Sequence, residues 1–358
     1  MHDRSPPAAP NRAFLCGPLL KSVSRSFYLT LRVLPARMRT PVGLAYLLAR
    51  AADTIADTPL IAPPQRLALL LSLRSQVNGQ QDDAALARLA SEVAKQQTQS
   101  DEKTLLESLG PALTMLAQLG EPDRAAVRNI VTTLTEGMEF DLRTFPDERS
   151  GEIIALRDMP QLDHYIYLVA GCVGEFWTTM SRAHQPGLFA GHEDFRLAVL
   201  RGVRFGKALQ MTNVLRDCGK DLRIGRCYLP QTLLAERGLR PGELLRPDAS
   251  ERARALLCDL LRVALDHFRA AIDYTLALPR TAVRLRLACL WPILIGLHTL
   301  LLLAGNDAWL DPEKASRIPR SQVYRILAGS ALQVSCNTSL RARANRLIAQ
   351  IERQLDSV

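Results

Sequence analysis

An all-α fold is what the sequence predicts, and three observations predict it. Apolar residues recur at i, i+3, i+4 and i+7 through most of the 358 residues, the spacing that gathers one stripe on a helix face. Runs of Val, Ile, Thr and aromatic residues alternating with period two, which would mark half-buried strands, are scarce. No linker separates two compositions and no fixed-period repeat stands out. A single helical domain over 14–358 is therefore the economical reading, preceded by a disordered or loosely attached segment over 1–13. A composition of 47% hydrophobic and 23% charged residues supports a large core and excludes the disordered, collagen-like and disulfide-miniprotein classes.

In chain order, the apolar period predicts helices over 14–34, 41–57, 64–77, 84–97, 101–118 and 122–144. The first is broken near Gly17-Pro18, where propensity falls and a backbone donor is missing. Pro59 through Pro64, Asn78-Gly79 and Gly120-Glu121-Pro122 mark turns between these helices. The second half predicts helices over 151–182 with a break near Pro160, 195–221, 249–278, 280–304 and 321–352. Gln185-Pro186-Gly187 and Pro241-Gly242 supply turns there.

Charge and cysteine content narrow the function classes. There are 45 basic and 36 acidic residues, a net +9, and 39 of the basic residues are Arg against six Lys. Arg suits planar, bidentate recognition of phosphate and carboxylate, although a coding bias toward Arg would leave the same trace. Aromatics make up only 5%, too few for the stacking surfaces that single-stranded nucleic acid needs, so no nucleic-acid partner is expected. Seven scattered cysteines without a C-x-x-C read as reduced thiols in the cytoplasm. The Pro-rich, polar opening predicts no leader. Leu287–Gly305 carries no formal charge and is long enough to span a bilayer, but Pro292, Gly296 and His298 interrupt it. A buried core helix and a membrane-inserted or interfacial segment both stand at this point.

Two stripes of polar residues carry the chemistry. On the helix over 41–57, Tyr46, Arg50, Asp53 and Asp57 follow at spacings of four, three and four, which places them on one face. Two carboxylates one turn apart repel and need solvent, a cation or a basic neighbour. Taken alone, a solvated face explains them as well as a site does. The helix over 195–221 repeats the pattern with Gln210, Asn213, Asp217 and Asp221, flanked by Arg216 and Lys220. Mg²⁺ commonly takes one or two carboxylates, keeps several waters and leaves the rest of its shell to substrate phosphates. Two such stripes facing each other would make a two-sided clamp for a Mg²⁺-diphosphate. A third signal lies between them, Tyr165 to Gly174, with Tyr165, Val169 and Val173 on one face and Ala170, Gly171 and Gly174 leaving another bare. Helix glycines cost up to about 1 kcal/mol relative to Ala, which points to close packing or a kink beside a cavity.

With these motifs in their order, the chain resembles the squalene and phytoene synthases over nearly its whole length. Ser22 to Phe27 resembles the family's S-R-S-F opening, and Ala45 to Asp57 its first aspartate motif. Tyr165 to Gly174 is similar to Y-x-x-x-V-A-G-x-V-G, and Gly206 to Asp221 to Q-x-x-N-x-x-R-D-x-x-x-D. Gly225 to Pro230 resembles the R-x-Y-L-P stretch that follows. The resemblance implies the isoprenoid synthase fold, one helical bundle around a deep apolar cavity, and head-to-head joining of two C15 or C20 prenyl diphosphates through a cyclopropyl diphosphate. It implies that Asp53, Asp57, Asp217 and Asp221 hold Mg²⁺. It gives Arg25, Arg50, Arg216 and Arg226 to phosphate oxygens, with Asn213 and Gln210 completing the second face. Tyr165 becomes the polar group at the reacting carbons, a candidate for proton removal. Ser24, Phe27, Tyr46, Val169 and Val173 would line the substrate pocket, where rings shelter cationic intermediates. Leu287–Leu303 then becomes a wall of the prenyl tunnel.

The segment from Asp311 to Tyr324 resembles the basic loop by which squalene synthases approach NADPH, implying roles for Arg317 and Arg320, although Pro319 and a shifted basic spacing depart from the eukaryotic pattern. The stretches over 25–35 and 46–58 lean toward squalene synthase, since phytoene synthases usually open the first motif with D-D-x-x-D. The closing residues Gln-Leu-Asp-Ser-Val do not resemble the anchor of the eukaryotic members, and none is expected. The expectation is a bacterial-type squalene synthase using two farnesyl diphosphates, Mg²⁺ and NADPH. Presqualene diphosphate synthase and dehydrosqualene or phytoene synthase are the alternatives. A non-catalytic assembly or lipid-binding descendant would tend to lose the aspartates, and all four are present. The basic excess that the diphosphates leave over would suit peripheral contact with an anionic inner membrane.

Overall fold

The computed structural model describes residues 11–24, 28–80, 82–97, 99–185, 187–189, 192–331 and 333–357. Among the described residues 77% are helical, and the strands are two pairs of residues, Ile154–Ala155 (β1) and Arg226–Cys227 (β2), joined in parallel. The all-α class follows. Its contacts gather into two compact units, one of Met1–Arg32 with Ala36–Glu139 and one of Val33–Pro35 with Phe140–Val358.

The described part of the first unit begins with a helical turn at Arg12–Phe14 that runs into a π-helical turn at Leu15–Leu19 around Pro18, where the first helix was expected to break. A short helix, Leu20–Ser24 (α1), and another, Tyr28–Val33 (α2), follow. Arg25 and Phe27, both expected in the substrate pocket, lie outside the described residues. The long helix Ala36–Ala56 (α3) starts ahead of the predicted boundary and carries Pro41 inside it. Its buried side chains include Leu44, Leu47, Leu48, Ala51, Ala52 and Ile55, the apolar stripe that leaves the polar one outward. Helices Pro63–Val77 (α4) and Asp83–Ala94 (α5) complete that part of the core.

The expected helix over 101–118 is two, Ser100–Glu107 (α6) and Leu109–Ala117 (α7). Pro111 explains the break, because it has no N–H for the carbonyl of Glu107 and its ring crowds that carbonyl; at the joint the Ser108 hydroxyl donates to the carbonyl of Thr104 at 2.7 Å. Glu121–Thr144 (α8) then runs as one helix, and the boundary between the units falls within it after Glu139.

In the second unit residues 151–158 are not helical as expected. Gly151 takes a positive φ of 74° and Ile154–Ala155 pairs with Arg226–Cys227, so the segment finds its backbone partners across the chain instead of along it. Helix Met159–Ile166 (α9) opens on Asp158, whose side chain accepts the Gln161 N–H at 2.9 Å. A π turn at Tyr167–Gly171 leads into Cys172–His184 (α10), and His192–Arg223 (α11) packs against both. Here the glycines find their reason. A Cβ on Gly174 would stand 1.8 Å from the carbonyl oxygen of Gly202, and one on Gly206 2.0 Å from that of Ala170. The two helices meet backbone to backbone.

Helices Arg254–Ala277 (α14, after the short pieces Gln231–Ala235, α12, and Ala249–Arg252, α13) and Val283–Ala304 (α15) form the rest of the core. α15 is the one described helix long and apolar enough to cross a membrane, yet 61% of its most apolar window is buried inside the protein. Gly296 serves packing, since a Cβ there would meet the Phe268 ring at 2.4 Å. The expected helix over 321–352 is two, Arg320–Ala331 (α16) and Asn337–Asp356 (α17). Buried Arg286 explains the interruption. Its guanidinium donates to the carbonyls of Val334 and Leu278, each at 2.7 Å, and to Asn337 Oδ1 at 2.6 Å, so the Val334 carbonyl serves a tertiary bond rather than a helical one.

Candidate active site

Each unit carries one of the polar stripes at the C-terminal end of a helix. In the first, Arg50 and Asp53 stand in the last two turns of α3, and Asp57 just past its end, with its N–H on the carbonyl of Asp53 at 2.9 Å. A helix C-terminus is electrically negative, so two carboxylates there increase the demand for a cation. Arg50 meets part of it. One of its nitrogens pairs with Asp53 and the other with Glu102 at 2.5 Å. Burial, and then the charge of Asp57, still push the Asp53 carboxyl up to about 6 against the pull of Arg50. A cavity of about 280 Å³ opens beside these groups, lined by Arg50, Asp53, Asp57, Thr58, Gln97 and Glu102 among others. Glu102 escaped the sequence reading, because with Asp101 it makes an acidic first turn of α6 that looks like an ordinary helix start. Tyr46 does share the stripe, and its hydroxyl reaches the carbonyl of Val23 at 3.4 Å. Ser24 is buried and gives its hydroxyl to the carbonyl of Leu20 in its own helix.

The second stripe repeats the device. Arg216 holds Asp217 with two nitrogens, Nε at 3.0 Å and Nη2 closer. Asn213 donates to Gln210 Oε1 at 3.3 Å, and Asp221 lies one turn beyond Asp217, close to the end of α11. The back of this turn is fixed by Gly219, where a Cβ would stand 2.3 Å from the carbonyl oxygen of Leu310. Among the described residues no three His, Cys, Asp or Glu side chains converge as a ready-made metal site. Each unit instead offers a carboxylate pair, a donor set that fits Mg²⁺ supplemented by water and phosphate.

Tyr165 is buried at the end of α9, its ring stacked on that of Tyr228 with centroids 4.7 Å apart. Both hydroxyls donate to Asp141 Oδ2, at 3.2 and 3.1 Å. Burial first, then the charges of Asp141 and Asp221, raise the pKa of both phenols well above the usual value, which also places Asp221 within electrostatic reach of the pair. Arg226, expected on phosphate, stands 3.3 Å from Glu148 and 4.0 Å from Asp141. Tyr165, Val169 and Val173, expected on one face, are separated by an altered helical winding. The π turn at Tyr167–Gly171 inserts an extra residue, and the three pass from buried through half-buried to exposed. Arg317 and Arg320 are exposed on the loop before α16 and at its first residue. A larger cleft of about 720 Å³ elsewhere in the second unit is lined by equal numbers of cations and carboxylates, among them Arg223, Arg254, Glu251 and Asp311, and by none of the stripe residues.

An all-α chain with two Arg–Asp–Asp stripes has the form of an isoprenoid synthase. A solved structure, TcSQS bound to the ligand E5700, superposes with a TM-score of 0.73 at 21% identity, covering 96% of this chain and 97% of that one, which establishes the fold. The sequence matches the squalene/phytoene synthase family model over residues 20–323, and the chain belongs to that family. A bifunctional lycopene cyclase/phytoene synthase of Colletotrichum graminicola is 30% identical over 85% of this chain and 49% of its own length. The squalene synthase of Eremothecium gossypii is 25% identical over 83% of this chain and 63% of its own. The chain spans about half to two thirds of the length of these relatives. Members of the family are prenyltransferases.

Proposed function

We propose that the chain condenses two farnesyl diphosphates head to head, through presqualene diphosphate, to squalene. The duplicated stripe carries this reading: Arg50–Asp53–Asp57 and Arg216–Asp217–Asp221 are two copies of one device for a metal-bound diphosphate, one per substrate or leaving group. Asp53, Asp57, Asp217 and Asp221 would hold Mg²⁺; burial and then the charge of Asp57 raise the pKa of Asp53, and a cation at the pair would offset the second of these. Bound Mg²⁺ neutralises diphosphate charge and so favours its departure. With the carboxylates engaged, the guanidiniums of Arg50 and Arg216 are left to meet phosphate oxygens bidentately. Tyr165, held protonated by burial, stands at the reacting carbons. The aromatic groups around it, Phe140, Phe145 and Tyr228, offer ring faces to a carbocation and no strong nucleophile.

Arg317, Arg320 and Lys314, exposed cations of one short segment, suit the phosphates of NADPH, which supplies the hydride of the second half-reaction. The first motif, Asp53-Thr54-Ile55-Ala56-Asp57, lacks the doubled aspartate usual in phytoene synthases and favours farnesyl diphosphate and squalene. The 30% identity to a phytoene synthase-containing protein favours a second reading, a phytoene or dehydrosqualene synthase. Product analysis separates them. With farnesyl diphosphate and Mg²⁺, squalene forms only when NADPH is added, and EDTA stops all turnover. Dehydrosqualene as product, or presqualene diphosphate persisting with NADPH, refutes the squalene reading.

A further inference from the structure

Asp141 stands behind Tyr165 and is 24 residues from it in sequence. It lies in the last turn of α8, where an isolated carboxylate is disfavoured by the helix dipole. Yet it is mostly buried, with only 15% of its side chain exposed, and two phenols donate to the same oxygen. Arg226 Nη1 lies 4.0 Å from the same oxygen. Both phenolic hydroxyls reach Asp141, and they also hydrogen-bond each other, so the three groups form one proton-sharing cluster. A neutral phenol alone is a feeble base. One that hands its own proton to a carboxylate while taking another is a competent one.

We propose that Asp141 is the terminal proton acceptor of the condensation, acting through Tyr165, with Tyr228 and Arg226 holding it in place. The proposal rests on the prenyl-condensing function above. Once the double bond of the second substrate has added to the allylic cation, a C–H bond of the resulting tertiary cation breaks and its electron pair closes the last C–C bond of the cyclopropane. The departing proton forms an O–H bond on Tyr165 while the proton Tyr165 held passes to Asp141 Oδ2. Nothing is oxidised or reduced, and Asp141 returns its proton to solvent before the next turnover. Tyr165 is the catalytic residue, and Asp141 and Tyr228 are positioning residues.

The test compares wild type, Tyr165→Phe, Asp141→Asn, Tyr228→Phe and the Tyr165→Phe/Asp141→Asn double variant, with farnesyl diphosphate and Mg²⁺ but no NADPH. Diphosphate release and the partition between presqualene diphosphate and prenyl alcohol are read, with circular dichroism for folding. General-base loss costs about 10²–10⁴-fold. Asp141→Asn should therefore lower presqualene diphosphate formation by at least about 100-fold, leave KM within about threefold and divert the cation to alcohol. Tyr228→Phe should cost about 3–10-fold, the loss of one hydrogen bond. The double variant should fall no further than the slower single one, because residues acting as a unit are not additive. Asp141→Asn with wild-type partition, or a double variant losing the product of both single losses, overturns the relay alone. If Asp141→Asn does not fold, Asp141→Glu and Tyr228→Phe decide, and unchanged partition in both overturns it. A wild type that converts no prenyl diphosphate overturns the functional reading and the relay with it.

Discussion

Replacing Gly174 by Ala tests the backbone-to-backbone crossing of α10 and α11. The added Cβ would lie 1.8 Å from the Gly202 carbonyl oxygen, whereas ordinary contact begins at 3.4 Å. The two helices must part by about 1.6 Å there, and the atom in the way is backbone, which cannot swing aside as a side chain can. Overpacking costs about 1–3 kcal/mol, and this geometry belongs at the top of that range. Ala recovers about 1 kcal/mol of helix propensity, so the net loss is about 2 kcal/mol. In urea unfolding, with an m-value of about 2–3 kcal/mol/M, the midpoint should fall by about 0.7–1 M. Gly329 is the control, because a Cβ there makes only 3.6 Å contact with the end of Arg343, and Gly329→Ala in α16 should gain about 0.5–1 kcal/mol. The reasoning fails if Gly174→Ala unfolds at the wild-type midpoint or responds as Gly329→Ala does.

Arg286→Met should destabilise by about 3–5 kcal/mol, because it strands the carbonyls of Leu278 and Val334 and removes charge-assisted hydrogen bonds; urea unfolding reads this, and a loss under 1 kcal/mol contradicts it. His267 gives a pH dependence. Burial, with Arg204 and Lys207 nearby, pushes its pKa down from 6.5 to about 4, and Arg204 Nε points a proton at its Nδ1 from 3.3 Å. The native state therefore binds fewer protons than the unfolded state between pH 4 and 6.5, so stability from this group is present above 6.5 and is lost as the pH falls toward 4. With the part-exposed ring discounted for solvent screening, the loss is about 1–2 kcal/mol, and His267→Gln should flatten that part of the unfolding-versus-pH curve. Glu102→Gln should remove the charged partner that orients the Arg50 guanidinium and raise KM for farnesyl diphosphate severalfold with the fold unchanged, measured by steady-state kinetics.

The all-α class, the two stripes and their Arg partners were legible in the sequence because all three are periodic: apolar residues at helical spacing, and acids one turn apart. Boundaries were less legible wherever a tertiary partner captured the backbone. Val334 and the segment 154–156 leave a continuous apolar period for hydrogen bonds made across the chain, which periodicity does not encode, whereas the break at Ser108 follows from Pro111, a signal the apolar period overrode. The glycines of Tyr165 to Gly174 were visible as an unexplained cost, but their partner Gly202 lies a whole helix away. Asp141 was invisible for a similar reason. It is one acid among several on an amphipathic helix, and its meaning comes from Tyr228, 87 residues distant, whose motif was recognised without a role for the ring. Arg226 belonged to that same motif, and only its neighbours Glu148 and Asp141 showed that carboxylates surround it.

The central claim is that both stripes serve one metal-dependent condensation. Turnover of labelled farnesyl diphosphate by Asp57→Asn and Asp221→Asn, each checked for wild-type circular dichroism, tests it most directly. Loss of leaving-group stabilisation at either stripe should lower kcat by about 10³-fold or more, with Mg²⁺ unable to restore it. Either variant turning over within tenfold of wild type would contradict the account.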